Sequence, residues 1–213
     1  MRSGTVAPKE QRKQHMEYER EANYMRKIIV SEFVTLDGVI EDPGGAEGFK
    51  HGGWSFQFGS AEQQQFKVEE LFQADALLLG RRTYQGFAAA WPNMPGTGAY
   101  GERMNSLPKY VASTTLSDMT WNATLLQGDL AEALSRLKQE DGQDILLFGS
   151  GQLVQTLHER GLIDVYRLMV FPIVLGSGKR LFPEGSEKKA LRLIETRPLP
   201  SGVVVLTYQP IKD

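Results

Sequence analysis

Residues 76–79, Ala-Leu-Leu-Leu, restrict the chain more than any other stretch: they are apolar at every position, and they run straight into Gly80, Arg81, Arg82 and Thr83. A run this short and this uniformly apolar suits a strand buried on both faces, and such strands lie in parallel sheets covered by helices above and below. The chain from Met25 onward alternates accordingly. Residues 27–34 are β-branched and strand-like, whereas residues 60–73 place Ala61, Val68, Leu71 and Phe72 on one helical face. Residues 83–91 read as the helix that follows the apolar run, and Lys109–Ala112 and residues 124–126 as two further short strands. Asp129 with Glu132 three positions on forms a capping box, and Leu130, Ala133, Leu134 and Leu137 continue as a helical stripe. Asp144–Phe148 returns to strand. A helix after Gly149, Ser150 and Gly151 ends at Gly161, and residues 164–175 read as one long strand. Residues 191–196 and 203–208, joined through 198–202, predict a terminal antiparallel hairpin. The sum is an α/β chain: a three-layer α/β/α fold on a mostly parallel, mixed sheet with an antiparallel C-terminal edge.

Residues 1–24 are polar, charged and without apolar periodicity, so they are expected to form a flexible leader to a single domain over residues 25–213. A net charge of -2 with scattered basic residues argues against nucleic acid as a partner, and no apolar span is long enough to cross a membrane. The absence of cysteine removes disulfides and cysteine-ligated zinc, and no secretory pattern opens the chain, so a cytoplasmic address is expected. His15, His51 and His158 show no ligand spacing, so no metal is expected.

In open α/β sheets ligands bind outside the carboxyl ends of the strands. Three predicted strand ends share a chemistry there: Gly80-Arg81-Arg82-Thr83, Ser113-Thr114-Thr115 and Gly149-Ser150-Gly151-Gln152. Each offers backbone N–H groups or hydroxyls, two adjoin helix N-termini and one adds two guanidiniums, a set suited to a ligand with several phosphates. Familiar fingerprints fail. The turn at Gly149 has Val154 where a dinucleotide motif needs its third glycine, and Gly176-Ser177-Gly178-Lys179-Arg180 has Ile173 and Arg180 where a phosphate loop needs Gly and Ser/Thr. There is no G-x-S-x-G nucleophile elbow.

The order MRKIIVSEFVTLDGVI, LLLGRRTYQGF, KYVASTTL, ILLFGSGQLVQTL and LMVFPIVLGSGKRLFPEG resembles the dihydrofolate reductase-like fold family, in the branch related to the C-terminal reductase domain of bacterial riboflavin biosynthesis. The resemblance implies an NADPH-dependent reductase that delivers a hydride to a small heterocycle, pterin- or pyrimidine-like. It places the NADPH phosphates, the 2′-phosphate included, on Gly80, Arg81, Arg82, Thr83, Ser113 and Thr114. The pyrophosphate falls to Gly149, Ser150, Gly151 and Gln152. By the same analogy the 168–175 segment allows a homodimer. The zinc deaminase that accompanies this reductase in bifunctional riboflavin enzymes needs cysteines that this chain lacks.

Hydride delivery leaves negative charge on the acceptor, so a proton donor helps. Asp37, in Thr35-Leu36-Asp37-Gly38, resembles the Asp-Gly turn that faces substrate in the riboflavin branch, and Glu62 lies near the helix acid of the folate branch. Both positions also suit ordinary roles, in a turn and in the first turn of a helix. Trp54 and Phe182 are expected to wall the substrate pocket. Two rivals stay open on sequence: a non-catalytic NADP-binding module, and an interaction or structural protein whose glycine turns serve geometry alone.

Overall fold

The computed structural model describes residues 25–211, so the leader expected at residues 1–24 lies outside the described residues. The apolar run lies in β2 (Ala74–Gly80), where residues 76–79 have no exposed surface at all. Around it stand β1 (Ile28–Thr35), β3 (Lys109–Ala112), β4 (Ala123–Leu125), β5 (Asp144–Phe148), β6 (Val165–Phe171), β7 (Leu191–Pro198) and β8 (Val204–Pro210). One sheet holds them in the order β4-β3-β2-β5-β1-β6-β8-β7. It is parallel from β4 through β6 and antiparallel at β6-β8-β7, which confirms the expected hairpin edge.

Helices cover both faces. On one lie α4 (Leu130–Gln139) and α5 (Gly151–Glu159), packed through Leu134, Leu137, Leu153, Val154 and Leu157 against Ile28, Val30, Leu78 and Leu147. On the other lie α1 (Ala61–Phe72), α2 (Arg81–Ala90) and α3 (Gly98–Ser106), where Leu71, Tyr84 and Met104 meet Ile29, Leu77, Leu79 and Leu146. Helix starts follow the expected chemistry. The Asp129 carboxylate accepts from the N–H groups of Ala131 and Glu132 at α4, and the Ser60 hydroxyl accepts from Gln63 at α1.

Three elements differ from expectation. Of the α1 stripe only Leu71 is fully buried, because Glu70 takes the inward position beside it and turns Phe72 outward. α3 has no counterpart among the expected elements. Its two glycines mask the helical pattern, and Gly101 is needed because a Cβ there would sit 1.9 Å from Thr97 Oγ1. β6 stops at Phe171 rather than continuing to residue 175, since Pro172 has no N–H to extend the ladder. β6 is also paired on both sides, by β1 and β8, and mostly buried, so the strand itself offers a second copy little surface. Exposed apolar groups lie instead on edge strand β7, at Leu193 and Ile194.

Candidate active site

The chain leaves β1 for α1 on one face of the sheet and leaves its neighbour β5 for α5 on the other. Adjacent strands whose connections part in this way open a crevice at their carboxyl ends. Here the crevice is deepened by unequal lengths. β5 ends at Phe148, opposite Ser31, while β1 runs on to Thr35, so from Glu32 onward β1 has no strand on its β5 side.

The three glycine- and hydroxyl-bearing corners meet beside this crevice. The N–H of Gly80 donates to Ser150 Oγ (2.8 Å), and the N–H of Ser150 donates to Thr83 Oγ1 (2.9 Å), so the corners after β2 and β5 are tied to each other. Contact is close enough to demand glycine. Gly149 has φ +53°, a left-handed conformation, and a Cβ there would lie 3.2 Å from Thr83 Oγ1. Arg81 reaches the third corner, donating to Thr115 Oγ1 at 2.8 Å. The Ser113 hydroxyl oxygen accepts from the N–H groups of Thr115 and Leu116, both at 3.2 Å, and shapes the turn after β3. Thr114 and Gln152 are exposed at the rim.

Anion-binding capacity remains after this internal bonding. The first-turn N–H groups of α2 and α5, those of Arg82, Gly151 and Gln152 among them, have no intrahelical acceptor, and both helix dipoles point their positive ends at the crevice. Arg81 and Arg82 are exposed, and among the described residues neither is ion-paired. These donors fit a dinucleotide phosphate chain. Ser150 and Thr83, by contrast, spend hydrogen-bonding capacity on each other's corner.

The α1 face of the crevice carries a charge network that the sequence reading missed. Glu70 is fully buried; it accepts from Ser31 Oγ (2.8 Å), from Arg167 Nη1 (3.0 Å) and from Lys67. Burial alone would raise its carboxyl, but Lys67, Arg167 and the hydrogen bonds outweigh burial and hold it below the usual carboxylate range. Lys67 Nζ also donates to Ser31 Oγ (2.8 Å) and sits 4.2 Å from the centre of the Phe148 ring. Ser31, Phe148 and Arg167 share one row of the sheet, so the network lies at the level where β5 gives out.

A family model described as the RibD C-terminal domain matches residues 26–205. The chain belongs to the RibD C-terminal domain family. Among its relatives, the uncharacterized protein YyaP of Bacillus subtilis is 32% identical over 186 residues, covering 86% of this chain and 94% of that protein. The crystal structure of a putative riboflavin biosynthesis protein from Shewanella superposes with a TM-score of 0.69 at 23% identity, covering 87% of this chain and 99% of that one. Dihydrofolate reductase from Enterococcus faecalis, complexed with NADP(H), superposes at 0.59 with 15% identity, covering 87% and 97%. The fold is therefore the dihydrofolate reductase-like one.

Within this RibD C-terminal domain the remaining singled-out residues scatter. Asp37 accepts from Thr35 Oγ1 (2.6 Å), from the N–H of Gly176 (2.8 Å) and from that of Leu175 (3.2 Å). The Thr35 hydrogen bond, followed by those from the 175–176 backbone, holds its carboxyl below the ordinary value, which favours a charged brace over a proton donor. Glu62 is exposed in the first turn of α1. Trp54 and Phe182 do not face each other across a pocket. Trp54 is 3% exposed, donates through Nε1 to the Glu41 carbonyl and packs edge-on against Phe171, inside the core of the α1 face. Phe182 packs at a tilt against His158 and Tyr166 on the α5 face. The stretch 176–180 is no phosphate loop either: a Cβ on Gly178 would strike Val39 at 2.7 Å, because that turn packs on the loop after β1.

Proposed function

We propose that this protein is an NADPH-dependent reductase that transfers a hydride to a small heterocycle of the pterin or pyrimidine type. The observation that carries the reading is the interlocking of three strand ends, with two guanidiniums that are not ion-paired among the described residues and two open helix N-termini, beside the crevice between β1 and β5. NADP(H) is the ligand of the dihydrofolate reductase that shares this fold, and family membership supports the same oxidoreductase chemistry. When bound, the dinucleotide supplies the hydride. This chain's groups would hold its phosphates at Arg81, Arg82, Ser113, Thr114 and the α5 N-terminus, and would keep water from the crevice with Ile40, whose Cδ1 stands 2.6 Å from where a Gly151 Cβ would be.

The test is a fluorescence titration with NADPH and with NADH, followed by a screen of pterins, pyrimidines and simple carbonyl compounds for NADPH consumption. Tight, NADPH-selective binding with turnover of one heterocyclic class is expected. Binding without consumption by any acceptor would favour a non-catalytic NADP-binding module, and no binding would remove the reading.

A further inference from the structure

Glu32 stands out among the buried groups. It lies in the middle of β1, 5% exposed, and its Oε1 is buried without a hydrogen-bond partner. Among the described residues neither carboxyl oxygen forms a hydrogen bond or an ion pair, whereas Glu70, as deeply buried, has three partners. Strand alternation puts Glu32 on the α5 face between Val30 and Val34 and beside its register partner Leu168, all three members of the apolar cluster that also holds Leu153 at the start of α5. Its register places it one step past the Ser31–Phe148 pair, level with the Gly149 corner, where the crevice begins.

An acid so placed needs an explanation, because a strand core would be better served by valine. We propose that Glu32, rather than Asp37 or Glu62, supplies the proton for the reduction. The proposal rests on the reductase reading above. As the acceptor carbon of a C=N or C=O group takes the hydride, the heteroatom takes the Glu32 proton: a C–H bond of the dihydronicotinamide, the C=N or C=O π bond and the Glu32 O–H bond break, and a C–H and an N–H or O–H bond form on the substrate. The dihydronicotinamide is oxidised, the substrate is reduced, and Glu32 is left as a carboxylate that water reprotonates.

The surroundings suit both halves of that cycle. Burial pushes the Glu32 carboxyl well above the usual range, Lys67 partly offsets this, and the Glu70 charge adds to the rise, a balance that favours the protonated acid the step needs. Lys67, the cation that acts on Glu32, then stabilises the carboxylate formed. Asp37, braced and ionised, has no proton to give.

The experiment compares wild type with Glu32→Gln. In the protein without ligands, difference infrared spectra between neutral and alkaline pH should show a protonated carboxyl band that the Gln variant lacks. Melting temperature should favour the variant increasingly as pH rises from the carboxylate range, since a raised folded-state value means the wild type loses stability there. NADPH affinity should be unchanged within about twofold, while turnover falls by roughly 100-fold or more and loses its alkaline limb. A Glu32 already ionised at neutral pH, or a variant with wild-type turnover and pH profile, would overturn the proposal. Failure of the wild type to bind NADPH overturns the reductase reading instead, and the infrared result still reports the state of Glu32.

Discussion

Asp37 and Lys109 show how far a single residue's chemistry depends on neighbours distant in the chain. Asp37 looks like a substrate-facing turn acid in sequence, yet its partners at Leu175 and Gly176 arrive from far along the chain and make it a clasp between the loops after β1 and β6. Asp37→Asn should therefore lower stability by about 1–2 kcal/mol, at the modest end because the turn is half-exposed. Its folded value is depressed, so this contribution is present above the unfolded carboxylate value, about 3.9, and fades as pH falls through the folded one. Denaturant melts at neutral and acid pH, with hydrogen exchange at Gly176, measure it; undiminished stability with lost turnover would return the residue to catalysis. Lys109 is wholly buried, with Nζ donating to the Asn105 carbonyl and lying over the Trp121 ring, and burial pulls its value down to about 8. Below that pH the folded protein carries the cost of a desolvated cation. Between about pH 8 and 10.4 the unfolded chain binds the extra proton, so stability should rise with pH, by about 3 kcal/mol at the limit. Lys109→Met should flatten that rise in urea melts taken across the range.

Elements were legible where their signals are local. β2, β5 and α4 announce themselves through an apolar run, a second one, and a capping box with its stripe, all within a few residues. α1 was placed but rotated wrongly, because its inward Glu70 is tolerable only once Ser31 and Arg167 are known to surround it, and α3 was hidden by glycines. The corners were legible as glycine turns, but not the division of labour inside them, since Thr83 and Ser150 meet across 67 residues. That division yields a prediction at the start of α2. If Arg81 or Arg82 contacts the dinucleotide, each charge-assisted contact is worth about 1.5–3 kcal/mol, or roughly tenfold to a hundredfold in affinity. Arg82 has no partner within the described residues and Arg81 is held by Thr115, so Arg82→Ala should lose ligand contact alone, whereas Arg81→Ala should also loosen the β3 corner. The arginine that meets the 2′-phosphate will weaken NADPH and spare NADH; one on the pyrophosphate will weaken both. Wild-type NADPH affinity in both variants would remove the cofactor assignment.

At the scale of the whole molecule, the strand order decides what the residues mean. The alternation of elements predicts three layers, but only pairing shows that β1, first in sequence, sits between β5 and β6 with its own helix on the opposite face from α5. Glu32 and Lys67 become site candidates through that order alone; in sequence they are a charged residue in a strand and a lysine on a helix. The only local hint was an acid interrupting the apolar IIVSEFV. A ligand bound at this edge would touch the corners after β2, β3 and β5, strands already paired in the sheet and tied again at their ends by the hydrogen bonds at Gly80, Arg81 and Ser150. Saturating NADPH should then stabilise the fold as a unit. At a concentration about 100 times the dissociation constant the gain is about 2.7 kcal/mol. For a chain of this size that raises the melting temperature by roughly 5–10 °C. NADH at the same concentration should give a smaller shift, and added salt should shrink the NADPH shift because phosphate contacts at an exposed rim are screened. A single sharpened transition is the expected trace in scanning calorimetry. Equal shifts with both dinucleotides would move the arginines off the 2′-phosphate, and no shift with either would mean that the corners interlock for the sake of the fold alone.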